Sequence, residues 1–296
     1  MEMRDIEVFL TLAEELHFGR TAERLHLTPA RVSQLVKHAE RQVGGVLFER
    51  TSRHVALTPL GEQLRDELAV TYTEIHNVLE RARRTARGAT GLLRLGSITW
   101  RTDLLRPAFE HLAERMPELE VTVRVVTFGD PFGPLRSGEI DAAILWLPIR
   151  EPDLTVGPIV GTEEIVLAMS STHPLAAKDE VVLEDLADVT VMGGAKPEYW
   201  REGLVPTHTP GGKLIPIGPV VTSVEAMIPI LTTGEAVSPM HVSAARYLSL
   251  PGVVYRPITD APLARWALVW RTATENDQVR ALAEAIRAVP QGRPPT

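Results

Sequence analysis

Two Thr-Pro steps, Thr28-Pro29 and Thr58-Pro59, constrain the first third of this chain more than any other feature. A threonine oxygen ahead of a helix accepts from an otherwise unpaired amide of the first turn. Proline, which has no N–H to lose, suits the first helical position. The first step opens a run that stops at Gly44-Gly45, a C-cap signal. Before it, Ile6, Phe9, Leu10, Ala13 and Leu16 recur at helical spacing. His17-Phe18-Gly19-Arg20 breaks that run, and Thr21–Leu25 reads as a second short helix. After it, Leu47–Arg50 and Val55–Leu57 read as two short strands joined by Thr51-Ser52-Arg53-His54. Three small helices and a basic hairpin over residues 1–58 predict a winged helix-turn-helix.

The second step opens a helix over residues 59–87. Its apolar positions, Leu60, Leu64, Leu68, Tyr72, Ile75, Val78, Leu79, Ala82 and Ala86, fall in one stripe about 120° wide. At 1.5 Å per residue it is a rod roughly 44 Å long. The small domain before it cannot cover that stripe, so a second copy of the chain is the simplest partner, with Leu60, Leu64, Leu68, Ile75, Leu79 and Ala82 as the dimerising residues. Packing against the C-terminal half is the alternative. Gly88-Ala89-Thr90-Gly91 reads as a hinge, so residues 59–90 form a linker helix and hinge.

Residues 91–296 alternate strand and helix patterns. Strands are expected over Leu92–Ile98, Val121–Val126, Asp141–Leu147, Ile165–Met169, Val189–Met192, Ile215–Val220 and Trp266–Arg271, and helices over Asp103–Met116 and Asp277–Val289. Thr222-Ser223-Val224-Glu225 reads as a capping box for a helix ending near Gly234. The alternation predicts an α/β class with a largely parallel sheet. No internal repeat is visible.

The chain of 296 residues has no cysteine, which excludes disulfides, thiolate metal sites and cysteine nucleophiles. No apolar run of about 18 residues is present to span a membrane, and the acidic start does not read as a signal peptide. A cytoplasmic protein is expected. The net charge of -7 hides a pattern: residues 20–60 hold seven basic side chains against three acids, while residues 91–296 hold 18 against 25. A basic patch inside an acidic chain suits a module that meets phosphate on one face, although a solvated basic surface would look the same. HExxH, GxxxxGK[ST], GxSxG and GxGxxG are all absent, so neither an enzyme, a cofactor nor a metal is expected.

On a helical wheel Val32, Val36, Ala39 and Val43 form the inward face of residues 29–43, within about 60°. Ala30, Gln34, Lys37 and Arg41 lie opposite, with Arg31 and His38 on one flank and Ser33 on the other. The major groove admits one α-helix, and these side chains match its donors and acceptors: Gln34 suits adenine and Arg31 suits guanine. Lys37 and Arg41 suit phosphates, Thr28 suits a phosphate at the helix N-terminus, and Arg53 and His54 at the hairpin tip suit a minor groove or the backbone. Each residue taken alone also fits a solvated face.

Phe9, Ala13, Phe18, Thr21-Ala22, Leu25, Leu27-Thr28, Val32-Ser33, Glu40, Gly44, Leu47-Phe48-Glu49-Arg50, Arg53 and Leu57-Thr58-Pro59-x-Gly61 together resemble the DNA-binding end of LysR-type transcriptional regulators. Thr21, Ala39 and Pro29 stand where that family usually has alanine, leucine and often glutamine. The resemblance continues through Leu93-x-Leu95-Gly96, Leu104–Pro107, Gly138–Ile144 and His173-Pro174-Leu175, while Thr233–Val237 departs from it at Glu235 and Ala236. That half resembles periplasmic solute-binding proteins: two α/β subdomains, about 91–161 with 267–296 and about 162–266, with crossings near Gly161–Glu164 and Leu263–Trp266.

The resemblance implies a homodimer or homotetramer that binds double-stranded DNA through Thr28, Pro29, Arg31, Ser33, Gln34, Lys37, Arg41, Arg50, Arg53 and His54. A small-molecule effector in the cleft would modulate that binding, and RNA polymerase is a further expected partner. Ligands of open α/β sheets sit past the carboxyl ends of strands. The effector candidates are therefore Ser97, Thr99, Trp100, Arg101, Thr127, Phe128 and Trp146, with Gly193, Val237 and Ser238 closing the cleft from the second subdomain. The rival readings are a regulator governed by a protein partner without a small ligand, and a solute-binding or enzymatic module on the C-terminal fold.

Overall fold

The computed structural model describes residues 1–50, 55–86, 91–98 and 102–289. Two compact units divide the chain, one of Met1–Gly88 with Arg136–Glu139 and the other of Ala89–Leu135 with Ile140–Thr296.

In the first unit α1 (Met3–Glu15), α2 (Phe18–Arg24) and α3 (Pro29–Val43) precede β1 (Phe48–Arg50), β2 (Val55–Leu57) and α4 (Pro59–Ala86). The α1 helix stops where Leu16 turns left-handed at φ 47° and sends its N–H to Leu12 O at 2.8 Å. The expected break at 17–20 is shorter than the sequence suggests: the His17 ring accepts from Arg20 N at 3.2 Å and caps α2 from Phe18. Val8, Phe9, Leu12, Val32, Val36, Ala39, Leu47 and Phe48 form the core, with the Phe9 and Phe48 rings edge to face at 5.6 Å. Leu35, roughly 60° round the helix from Val32, also joins this core. Val43, expected inside, is 37% exposed because it ends α3 one turn beyond the last buried position, Ala39.

The wing is pinned to its neighbours by three groups. β1 and β2 pair antiparallel with Phe48 opposite Leu57. Glu40 Oε1 accepts from the Leu47 and Phe48 amides at 3.1 and 3.4 Å. The Thr58 hydroxyl donates to Val46 O at 2.8 Å and accepts from Gly61 N at 3.0 Å. A Cβ at Gly61 would stand 2.2 Å from Leu47 O, so only glycine lets α4 start against the wing. The stripe on α4 then divides. Leu64 and Leu68 are half-buried and pack on the core of their own unit. Leu60, Ile75, Val78 and Leu79 are exposed, and the Ala82 side chain lies outside the described residues.

The second unit runs β3 (Leu92–Ser97), α5 (Arg106–Arg115), β4 (Glu120–Val125), α6 (Gly133–Arg136), β5 (Ala142–Trp146), β6 (Leu154–Glu163), β7 (Ile165–Ser170), β8 (Val191–Gly193), α7 (Glu198–Glu202), β9 (Ile217–Val220), α8 (Val224–Thr233), β10 (Ser238–His241), α9 (Ser243–Tyr247), β11 (Val253–Pro257), β12 (Ala264–Arg271) and α10 (Asp277–Ala288). The helix expected over 103–116 is split. Pro107 has no N–H for a continuing helix, so a 3-10 turn over Thr102–Leu105 precedes α5. Ser223 rather than Thr222 caps α8, its oxygen accepting from Ala226 N at 3.4 Å.

The first sheet has the order β4-β3-β5-β12-β6. β3 is parallel to both neighbours, whereas β12 is antiparallel to β5 and β6. The largely parallel sheet expected from the sequence is therefore only half right. The antiparallel strand is β12, which arrives from the second layer and inserts between β5 and β6. The second layer is an antiparallel β10-β7-β11 sheet beside a parallel β8-β9 pair, joined through one bridge from Val191 to Val237. β6 ends at Glu163 and β7 begins at Ile165, while β11 ends at Pro257 and β12 begins at Ala264, so the chain crosses twice between the sheets.

One nearly buried ion pair locks the parallel strands. Arg94 on β3 donates from Nη2 to Asp141 Oδ1 at 2.7 Å, from Nε to Oδ2 at 3.1 Å, and from its own amide to Oδ2 at 2.8 Å. Removing one member of such a pair strands the other in low dielectric. Asp141→Ala should therefore cost about 3–5 kcal/mol in urea unfolding. A loss under about 1 kcal/mol would show that the pair behaves like an exposed one.

Candidate functional sites

The outward face of α3 is the first site. Thr28 caps the helix, accepting from Arg31 N at 3.2 Å, and Pro29 takes its first turn. Thr28, Pro29, Arg31, Gln34, Lys37 and Arg41 are exposed and Ser33 is half-buried, so one surface holds the expected groups while Val32, Leu35, Val36 and Ala39 hold the core. Arg31 Nη1 donates to Gln34 Oε1 at 3.3 Å, and Arg41 Nε donates to Lys37 O at 3.2 Å, so the cations lie along the helix surface. His38 on the flank turns inward instead: its Nδ1 sits 3.0 Å from Asp5 Oδ2, a buried carboxylate that also accepts from Glu2 N at 2.8 Å. Arg53, His54 and the side chain of Arg50 lie outside the described residues.

The second site is a cavity of about 110 Å³ between the two sheets of the second unit, several times the roughly 10–15 Å³ one water needs. Phe128, Trp146, Gly193 and Ser238 line it, as expected. Ser97, Thr127 and Val237 do not. Ser97 stays buried within β3, with Ile98 forming the wall in its place, and Thr127 is exposed. Val237 points into the core on the far face of its strand, because successive side chains alternate and Ser238 takes the cavity side. Thr99, Trp100 and Arg101 lie outside the described residues.

Three lining groups went unread in the sequence. Arg201 on α7 is 7% exposed; its Nη2 lies 3.6 Å from the exposed Glu198 carboxylate, and its Nη1 has no hydrogen-bond partner. His241 Nε2 and Trp266 Nε1 are likewise buried without a partner. Trp146 organises them. It packs on His241 at 5.2 Å and on Trp266 edge to face at 5.7 Å, with His241 and Trp266 themselves 4.5 Å apart. On its other side Trp146 stacks on Trp200 at 3.7 Å and 9°. Trp200 Nε1 donates to Trp146 O at 2.8 Å, and Trp146 Nε1 donates to Trp200 O at 3.3 Å. Gly194, at φ 138°, passes so close to β9's continuation that a Cβ would stand 1.5 Å from Val221 O.

Burial lowers the His241 pKa from 6.5 to about 3, so the imidazole is neutral at pH 7. The folded value lies below the unfolded one, so between them the unfolded chain binds the extra proton. The stability this contributes is whole above about pH 6.5 and is lost as pH falls toward 3, by about 1.4 kcal/mol per unit. Chemical unfolding at pH 7 and pH 5 should show a smaller acid loss in His241→Asn than in the native chain. Equal losses would mean that His241 titrates normally.

Family models match both units of the chain. Residues 3–62 match the model of the bacterial regulatory helix-turn-helix proteins of the lysR family, and residues 86–291 match the LysR substrate binding domain. The HTH-type transcriptional regulator AlsR of Bacillus subtilis is 30% identical over 285 residues, covering 95% of this chain and 93% of that protein. The DNA-binding transcriptional dual regulator OxyR of Escherichia coli is 28% identical, covering 97% and 95%. The crystal structure of CbnR, a LysR family transcriptional regulator, superposes with a TM-score of 0.69 at 20% identity, over 97% of this chain and 99% of that one. With a winged helix-turn-helix ahead of a cleft between two sheets, and a family model matched over most of its length, the chain belongs to the LysR family of bacterial transcriptional regulators.

Proposed function

We propose that the chain regulates transcription by reading duplex DNA with the outward face of α3, and that a small molecule in the cleft of the second unit alters that binding. The observation that carries the reading is the division of α3 into two faces. Arg31, Gln34, Lys37 and Arg41 stand in solvent, while Val32, Leu35, Val36 and Ala39 are held in the core. Gln34 presents an amide suited to adenine, Arg31 a fork suited to guanine, and Lys37 and Arg41 charges suited to phosphates. Arg50, Arg53 and His54 contact the DNA as well, Arg53 and His54 at the backbone or minor groove.

Residues 1–58 act as the DNA-binding domain, 59–90 as linker helix and hinge, and 91–296 as the effector-binding domain. Its subdomains are about 91–161 with 267–296, and about 162–266. A homo-oligomer fits the exposed part of α4, where Leu60, Ile75, Val78 and Leu79 leave an apolar strip uncovered by their own unit. Two helix-turn-helix units would then face half-sites about 34 Å apart, one helical turn. RNA polymerase is the expected further partner, the site of action is the cytoplasm where bacterial DNA lies, and no enzymatic step is assigned.

Gln34→Ala tests base reading directly. Anisotropy titrations should show a loss of about 1–3 kcal/mol on duplex from the protein's own promoter region and almost none on a scrambled duplex. Equal loss on both would remove Gln34 from sequence recognition.

A further inference from the structure

Three of the residues that line the cavity carry a buried polar atom with no hydrogen-bond partner, and each of those atoms can meet an acceptor. Arg201 Nη1 and Trp266 Nε1 are donors only, and His241 Nε2 either donates or accepts according to its tautomer. All three belong to side chains more than nine-tenths buried, where an unmade hydrogen bond is costly. Arg201 also brings a charge. Among the described residues that line the cavity it is the only ionised one, since no Asp, Glu or Lys lines it and His241 is held neutral. Its one acidic neighbour, Glu198, sits 3.6 Å from Nη2 with its side chain 79% exposed, a contact that leaves the buried Nη1 unmatched. Glu163, the buried acid at the first crossing, accepts from Ser243 N at 3.0 Å and does not line the cavity.

Apart from Ser238 and Ser243, the remaining side chains of the wall are apolar: Phe128, Met192, Met227 and Met240 are among them. A buried guanidinium amid methionines and aromatic rings matches a ligand with one negative end and an apolar body. Inorganic phosphate would leave that apolar surface wet. A dicarboxylate would bury its second charge against methionine and valine.

We propose that the cleft takes a small organic monocarboxylate, its carboxylate held by Arg201 Nη1 and within reach of the His241 and Trp266 nitrogens, and its apolar body against Phe128 and the methionines. The proposal rests on the reading of this cleft as the effector site and adds the chemical class of the ligand. The methionines, with unbranched and polarisable side chains, suit a ligand body of irregular shape.

The test uses the purified full chain and matched probes: isovalerate and benzoate, their amides, isopentylamine, succinate and inorganic phosphate. Melting temperature and tryptophan fluorescence report binding, since Trp146 and Trp266 line the cavity. Isovalerate or benzoate should raise the melting temperature and change the fluorescence, while the amides, the amine, succinate and phosphate should do neither. Arg201→Gln should weaken acid binding about tenfold to a hundredfold, and Arg201→Lys should weaken it less. Met227→Trp, or Ala244→Leu where that variant does not fold, should abolish it by filling the cavity.

Amides that bind as well as the acids, an Arg201→Gln variant with native affinity, or no response to either acid would each overturn the monocarboxylate class. If amides bind and the cavity-filling variants abolish that binding, the cleft stands as the effector site and only the class falls. If acid binding survives cavity filling, the reading of the cleft as the effector site fails with it.

Discussion

The Trp146–Trp200 pair is the contact on which the geometry of the cleft depends. Five residues of helix cannot hold themselves in water, and α7 is only that long. It is held because Trp200 is wholly buried against Trp146, and because each indole N–H closes on the other residue's carbonyl. The two rings are in close stacked contact, and two buried donors are satisfied as well. The next residue in the chain is Arg201, so its place in the cavity wall is set by a contact it does not itself make. Trp146 meanwhile packs on His241 and Trp266. One residue at the end of β5 therefore positions all three unpaired groups.

The DNA-reading unit follows a similar logic on a smaller scale. Its α3 helix can expose a polar face only because the opposite face is anchored at several points. Asp5 holds His38, Glu40 holds the two amides that begin the wing, and Thr58 with Gly61 sets α4 against Leu47. None of these groups is on the outward face. They fix the angle at which that face, and the wing beside it, meets a surface. A gap of an ångström in such a support would be felt at the base edges, where hydrogen bonds tolerate little error.

Local chemistry explains which parts of this architecture could be read from the residues. Thr28-Pro29, Gly44 and Thr58-Pro59 mark their helices within the chain itself, and the strand patterns around Ile144 and Leu167 are continuous apolar runs that announce buried strands. Long-range pairing was not legible in this way. The antiparallel run of β12 between β5 and β6 is a matter of topology, and β6 contains glycine and proline that mask its alternation. β10 contains Pro239, which argues against a strand until its pairing with Leu167 is seen. The rule that ligands lie past strand ends reached Phe128 and Trp146 of the cavity wall but also pointed to Ser97 and Thr127, which do not line it. It could not say that Ser238 faces the cavity while Val237 faces the core, nor that the charge would come from a five-residue helix with no periodicity of its own. The only trace of that helix in the sequence is a tryptophan beside an arginine.

Affinity of the full chain for duplex from its own promoter region, followed from low to moderate salt, tests the central claim most directly: that the exposed face of α3 and the wing bind DNA through phosphates as well as bases. The account predicts that log Kd rises linearly with log salt, and that Lys37→Ala and Arg41→Ala each reduce the slope by about one. Binding that ignores salt, or slopes unchanged in both variants, would contradict it.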